Sequence, residues 1–309
     1  MQTLDAAEVE RRLDFPTLIA RLRDMFRDGC ELPTRHHHTV AVPGAPDATL
    51  LLMPAWQTGR HVGVKTVTVF PGNGAKGLPA VMGIYILLDG ATGQPLALID
   101  GPMLTLRRTA AASALAAGYL AREDARRHLM VGAGALARHL IQAHAATRPI
   151  REFSIWARDP AKAAALAQQL RQTGLAADAV TDLERAVRGA DIVTTATLST
   201  EPLVRGAWLK PGTHLDLVGG YTPKMREADD EAVRRARVYV DTRAGAMKEA
   251  GDIVQPLASG ALAEVVGDLF ELTRAEVQGR GSPEEITLFK SVGTALEDLA
   301  GAQLAIGND

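Results

Sequence analysis

Only one cysteine, Cys30, occurs in the 309 residues. That excludes an internal disulfide and fits a reducing, cytoplasmic setting. A bias toward charge of one sign is missing too: 34 Lys and Arg stand against 36 Asp and Glu, for a net charge of −2. Nothing in that balance selects nucleic acid or an anionic membrane surface as a partner. No run reaches the roughly eighteen apolar residues of a membrane span. Residues 1–13 are charged and have no apolar centre, so no signal peptide is expected there. Internal repeats and low-complexity tracts are absent as well.

What is present suits a soluble globular protein of two ordinary domains. Asp14-Phe15-Pro16 reads as a helix start, with Asp14 as N-cap and Pro16 in the first turn. Phe15, Leu18, Ile19, Leu22, Met25 and Phe26 recur at helical spacing, and Gly29 ends the helix. Short Val-, Leu- and Thr-rich runs follow at 39–42, 49–56, 63–70, 81–88 and 94–99, bounded by Pro and Gly. Asp89-Gly90-Ala91-Thr92-Gly93 is a hairpin turn. This half therefore reads as a helix plus a mainly antiparallel sheet. An alanine-rich helix is predicted over 105–120. Strands near 128–132, 152–157, 191–197, 214–219 and 237–241 then alternate with helices, the pattern of a parallel sheet covered on both faces. A strand-like unit at 286–293 leads into a helix over 294–305, which is expected to pack back onto the first domain.

The strand 128–132 ends in Gly132-Ala133-Gly134-Ala135-Leu136-Ala137, an apolar helix follows, and Glu152-Phe153-Ser154-Ile155-Trp156 is the next strand. In such a layout, bare backbone N–H groups and a helix N-terminus hold a pyrophosphate. NAD-preferring folds place an acid at the end of the second strand, about 20 residues on, for the ribose 2′-hydroxyl. Here that position carries Ala157-Arg158. A guanidinium attracts a 2′-phosphate, so NADP(H) is expected over NAD(H). The fold class is thus α/β: a Rossmann doubly wound parallel sheet over 119–293, plus a discontinuous α+β domain over 1–118 and 294–309.

Three cations, Arg35, Lys65 and Arg108, lie on or beside apolar elements, where a buried charge needs an anion partner. Spacing alone leaves open whether they are functional or simply snorkel to the surface. His36-His37-His38 is not a metal site, because successive strand residues point to opposite faces. His61, His214 and Asp252 are assigned structural or solvent roles. Ser199 and Thr200, in the loop after the fourth Rossmann strand, are placed near the nicotinamide side.

Several motifs resemble the ornithine cyclodeaminase/mu-crystallin family over nearly the whole chain. They are Gly63-Val64-Lys65, Phe70-Pro71-Gly72-Asn73, Gly77-Leu78-Pro79, Leu104-Thr105-Leu106-Arg107-Arg108-Thr109-Ala110-Ala111, Leu288-Phe289-Lys290-Ser291-Val292-Gly293 and Ala295-Leu296-Glu297-Asp298. The resemblance implies a homodimer whose first domain binds substrate and pairs with its copy. It implies that Arg35, Lys65 and Arg108 hold a substrate carboxylate, with Lys65 and Arg108 catalytic. Thr109 would help to hold cofactor phosphate, and Val292 and Gly293 would lie beside the nicotinamide. Gly132, Ala133, Gly134, Ala135, Leu136, Ala157, Arg158, Thr195, Ala196, Thr197, Val218 and Gly219 complete the expected cofactor site.

The chain departs from the cyclodeaminase branch at two positions. Cyclodeaminases carry Asp after the glycine pair ending the fifth Rossmann strand, where this chain has Gly219-Gly220-Tyr221. A phenol does not serve as a base near neutral pH. They also carry an acid before a Leu-Met-Pro turn, to take a distal ammonium, where this chain has Leu51 before Leu52-Met53-Pro54. The resemblance therefore implies a reductase of a small carboxylate-bearing imine, such as pyrroline-2-carboxylate, with no metal. The alternatives are an ornithine cyclodeaminase, an alanine-dehydrogenase-like enzyme and a non-catalytic NADPH-binding, crystallin-like protein.

Overall fold

The structure is a computed structural model that describes residues 1–307; residues 308 and 309, the end of the segment assigned to the first domain, lie outside it. The chain forms two compact units, one of Met1–Thr109 with the chain from Ala295, the other of Ala110–Thr294.

The first unit is built on six strands: β1 (Gln2–Leu4), β2 (His36–Val40), β3 (Ala48–Gln57), β4 (His61–Val69), β5 (Val81–Asp89) and β6 (Pro95–Asp100). Their spatial order is β1-β6-β5-β4-β3-β2, antiparallel except for the parallel pair β1–β6. Neither β1 nor the helix Ala6–Arg12 behind it follows from the sequence pattern. Three residues are too few for alternation to register, and pairing with β6 creates the strand. The Leu52-Met53-Pro54 segment, expected at a turn, lies inside β3. Pro54 sits beyond the stretch of β3 that β2 pairs, so its missing N–H costs no bond to that strand.

Along β3, β4 and β5 the alternation buries one face, with Met53, Ala55, Lys65, Tyr85 and Leu87 all inside. The helices Phe15–Asp28 and Ala295–Ile306 pack together, and the second also packs on β3, β4 and β5. Asp14 caps the first of these by accepting from Thr17 N–H, and Gly29 closes it at φ 81°. Gly301 allows the second close contact, since a Cβ there would lie 2.8 Å from the Leu104 side chain.

The alanine-rich helix spans Gly101–Leu120 and so begins before Thr105. Asp100 accepts from Met103 N–H at 2.7 Å, and Pro102 occupies the first turn, a start signal masked by Gly101. The division between the units falls within this helix. Leu104, Arg107 and Arg108 are buried in the first unit, and Arg107 donates to the Leu13 carbonyl. Ser113 donates to Asp216 and so belongs to the second.

The second unit holds eight parallel strands: β7 (Arg127–Val131), β8 (Glu152–Trp156), β9 (Ala177–Ala179), β10 (Ile192–Thr195), β11 (His214–Leu217), β12 (Arg237–Val240), β13 (Gly267–Asp268) and β14 (Thr287–Lys290). Their order is β13-β12-β14-β11-β10-β7-β8-β9. The chain starts at β7, winds outward to β9, then returns to β10 on the other side. That reversal puts the topological switch point at the carboxyl ends of β7 and β10, where doubly wound sheets bind ligands. Among the described residues, no helix is long and apolar enough to cross a membrane.

Candidate active site

In the first unit, Lys65 and Arg108 meet on a shared acid, Asp298, and Arg108 also pairs with Glu297. Lys65 Nζ lies 2.7 Å from Asp298 Oδ2, and Arg108 Nε lies 2.9 Å from Asp298 Oδ1. Arg108 Nη1 reaches Glu297 Oε2 at 2.5 Å. All four side chains are buried. Lys65 projects there because β4 alternates, which sets it opposite Met53 on β3 and Tyr85 on β5, on the covered face. Arg108 comes from the helix Gly101–Leu120, and the acids come from the first turn of Ala295–Ile306.

The cations are therefore not bare. Two positive and two negative side chains cancel, which makes burial of the set tolerable. Arg108 engages the acids through Nε and Nη1, which leaves Nη2 for another acceptor. Lys65 makes one further long contact, to Thr105 Oγ1 at 3.5 Å, and an ammonium has three N–H groups. Burial pushes the Lys65 pKa down to about 8, more than Asp298 raises it. For Arg108 burial also pulls downward, but Asp298 and Glu297 outweigh it and hold the guanidinium charged. Burial acts to raise the Asp298 pKa, yet Arg108 and Lys65 bring it below the usual carboxylate value.

Arg35 is half-buried, just before β2. His36, His37 and His38 are exposed on β2. His61 is half-buried and its Nδ1 lies 3.1 Å from Gln303 Nε2. Among the described residues, no three His, Cys, Asp or Glu side chains gather as a metal site would require.

In the second unit, the glycine-rich turn follows β7 directly. Gly132 sits at φ 119°, and a Cβ on it would lie 2.6 Å from the Ala196 carbonyl oxygen. Gly134 is exposed, and a Cβ there would meet nothing within 4 Å. The helix Ala137–Thr147 begins at Leu136 with no side-chain cap, whereas Asp residues cap Pro160–Gln172, Leu183–Gly189 and Asp230–Arg235. Its first-turn N–H groups suit an anion. Ala133, Ala135 and Leu136 line the same turn, and Ala137 is buried so that helix and sheet approach closely.

Ala157 is half-buried and Arg158 exposed, directly after β8. The next acid, Asp159, is spent on accepting from Ala161 N–H to cap the following helix. Thr109 is half-buried. Thr195 and Val218 are buried at the ends of β10 and β11, and Ala196, Thr197 and Gly219 are half-buried beyond them. Ser199 is half-buried and bonded to the Glu201 carbonyl, and Thr200 is exposed. Asp241 Oδ2 accepts from Val292 N–H at 2.7 Å and from Gly293 N–H at 2.6 Å, which fixes the loop after β14.

In the sequence, Glu297 and Asp298 stand out only as part of a motif. The signal for a role was there, because they are the only charges in an otherwise apolar helix. Asp252, assigned a structural or solvent role, is fully buried among charges, as are Asp241, Glu227 and Lys290. Their acids lie far apart in the chain, so no local pattern announces them.

A model of the ornithine cyclodeaminase/mu-crystallin family matches residues 2–308. A Δ1-pyrroline-2-carboxylate reductase of Paracoccus denitrificans is 43% identical over 281 residues, covering 89% of this chain and 88% of that protein. Among solved structures, Thermococcus litoralis Δ1-pyrroline-2-carboxylate reductase in complex with NADH and L-proline is similar at TM-score 0.91. Its identity is 33%, covering 99% of this chain and 96% of that one. An archaeal alanine dehydrogenase dimer with bound NAD has TM-score 0.90 and 30% identity, covering 100% of this chain and 95% of that one.

Proposed function

The chain belongs to the ornithine cyclodeaminase/mu-crystallin family, and from that premise we propose that it is an NAD(P)H-dependent reductase of small carboxylate-bearing cyclic imines. Pyrroline-2-carboxylate is the substrate that fits best, and NADPH is preferred to NADH. The observation that carries this reading is the buried Lys65–Asp298–Arg108 cluster, combined with Leu51 and Tyr221 where a cyclodeaminase needs acids. Leu51 shares a sheet face with Met53, which stands directly opposite Lys65, so it lies within reach of the cluster. An apolar side chain there gives a distal ammonium no partner. That disfavours ornithine and favours a substrate whose only charged appendage is its carboxylate.

In this reading Arg108 Nη2, the remaining Lys65 N–H and Arg35 hold the substrate carboxylate. The acids Asp298 and Glu297 aim the two buried cations and leave those donors for substrate. A reduced nicotinamide, when bound, would supply the hydride for the C=N carbon. The nitrogen keeps the electron pair of the broken π bond and ends as a secondary amine, its proton carried on the iminium or delivered by Lys65 Nζ. Positioning and fixed charge provide the acceleration. Gly132 to Leu136 cradle the pyrophosphate, and Arg158 takes the ribose 2′-phosphate. Thr109 contributes a further phosphate contact. Thr195 to Thr197, Val218, Gly219, Val292 and Gly293 hold the nicotinamide half.

The active form in this reading is a homodimer. The outer face of the first unit's sheet is largely apolar, with Met82 39% and Ile84 40% exposed opposite Thr68 and Thr66. Val62, Val64 and Ile86 continue the same face, half-buried. A face of that kind calls for a covering surface, and the similar alanine dehydrogenase is a dimer.

The test is absorbance at 340 nm with NADPH or NADH against pyrroline-2-carboxylate, pyruvate plus ammonia, and ornithine. Oxidation of NADPH on adding the cyclic imine is the expected result. Ammonia release from ornithine without net cofactor consumption, or no turnover of any imine, overturns the proposal.

A further inference from the structure

Beneath the loops at the carboxyl ends of β10 and β11 lies a buried charge cluster that the proposed chemistry does not use. Glu227 Oε1 accepts from Thr197 N–H at 2.7 Å and from Thr197 Oγ1 at 2.8 Å. Its other oxygen accepts from Gly219 N–H at 2.8 Å and Gly220 N–H at 3.3 Å. One carboxylate thus ties two loops that are far apart in sequence. Lys290 Nζ lies 3.9 Å from Glu227 Oε2 and 3.5 Å from Asp252 Oδ2, all three side chains being 0% exposed. Asp252 Oδ1 in turn accepts from Glu227 N–H at 2.8 Å and Ala228 N–H at 3.2 Å, so it fixes the backbone that carries Glu227.

The glycine pair is shaped around this cluster. A Cβ on Gly219 would lie 2.1 Å from the Thr197 carbonyl oxygen and 2.6 Å from Glu227 Oε1. One on Gly220 would lie 3.0 Å from Asp252 Oδ2. The loops are drawn together more tightly than any side chain permits. Burying a carboxylate this deeply is costly, and burial accordingly raises the Glu227 pKa. Four donors and a lysine offset that cost, and a preorganised loop pair is the outcome.

We infer that Glu227 is a positioning residue for the nicotinamide half of the cofactor, acting by holding Thr197 and Gly219-Gly220 at one fixed separation. This rests on the reading above that these loops carry that half, whereas the adenine half rests on Gly132 to Leu136 and Arg158. Glu227 itself touches neither cofactor nor substrate. Asp252 holds the backbone of Glu227, Lys290 places its charge within 4 Å of both carboxylates, and Asp241 serves the loop after β14 in the same manner.

The test separates the two halves by ligand. Affinities for NADPH and for 2′,5′-ADP, which lacks the nicotinamide, its ribose and the phosphate attached to that ribose, are measured by calorimetry on wild type, Glu227→Gln and Glu227→Ala. NADH and ADP form a second pair, so the outcome does not depend on which dinucleotide is preferred. Gln keeps the length and one acceptor but turns an N–H₂ group toward backbone donors, so it remains informative if Ala does not fold. The expected result for Glu227→Gln is a loss of about tenfold in affinity for the dinucleotide, with the fragment unchanged within about twofold. Equal loss for both ligands, loss for neither, or a wild type that binds dinucleotide and fragment equally overturns the inference. These readouts need no turnover, so absence of imine reduction in the wild type would sink the proposed function and leave this measurement interpretable.

Discussion

Lys65 and Asp298 meet at 2.7 Å with side chains only 4% and 0% exposed. The pair joins the middle of a strand to the first turn of the last helix. Burial holds the lysine's pKa down to about 8, from an ordinary 10.5, despite the carboxylate. The charged form is therefore present below about pH 8 and lost above it. In the proposed mechanism the charged form holds the substrate carboxylate and can deliver a proton, so kcat/KM for the imine should fall about tenfold per pH unit above that point. Lys65→Arg, which stays charged, should lose this limb. A limb that survives unchanged in Lys65→Arg belongs to another group and removes Lys65 from the role.

Arg108 is expected to act as both clamp and counter-ion. Arg108→Ala takes the guanidinium away from buried Glu297 and leaves Asp298 to Lys65 alone, at a cost of about 3–5 kcal/mol. Arg108→Lys keeps the charge but loses the planar fork. Its kcat/KM for the imine should drop about 100-fold while it still unfolds cooperatively on heating. Near-normal kcat/KM in Arg108→Lys would show that the fork is not what holds the carboxylate.

Arg158 is exposed, and the adjacent Asp159 caps the next helix by accepting from Ala161 N–H. Arg158→Asp should swing the NADPH-to-NADH ratio of kcat/KM toward NADH by about 100-fold, through loss of a phosphate partner and gain of a repelling charge. An unmoved ratio would place 2′-phosphate selection elsewhere.

The second unit should be sensitive to acid. His128 and His214 are fully buried, and burial, followed by the neighbouring His144, holds both well below the ordinary value of 6.5. The unfolded chain takes up these protons as pH falls below about 6.5, and the folded chain refuses them. Stability is thus complete above that pH and declines beneath it, by up to about 1.4 kcal/mol per pH unit for each histidine. Urea unfolding of wild type from neutral to mildly acidic pH should show this slope. His128→Gln combined with His214→Gln should flatten it, and an undiminished slope would assign the proton uptake to other groups.

Much of this protein is written locally. Asp14 and Gly29 bound their helix through caps that depend on adjacent residues alone. The glycine turn at 132–134 and the absent acid at 157–158 are likewise short-range patterns, and so is the strand–helix alternation that fixes the parallel sheet. The motifs around Lys65, Arg108 and Val292-Gly293 carry the family across the whole chain.

Other features had no local signature. Strand β1 exists because β6 lies beside it, and the helix Gly101–Leu120 starts early because Asp100 reaches Met103 N–H. Asp298 gains its meaning only when the last helix returns to the sheet that carries Lys65. Glu227 gains its own only when Thr197 and Gly219 close around it. Covalent neighbours determine backbone preference and amphipathic period, and those are enough for elements and turns. Pairing of buried charges depends on which distant segments share a desolvated space, and folding alone makes that choice.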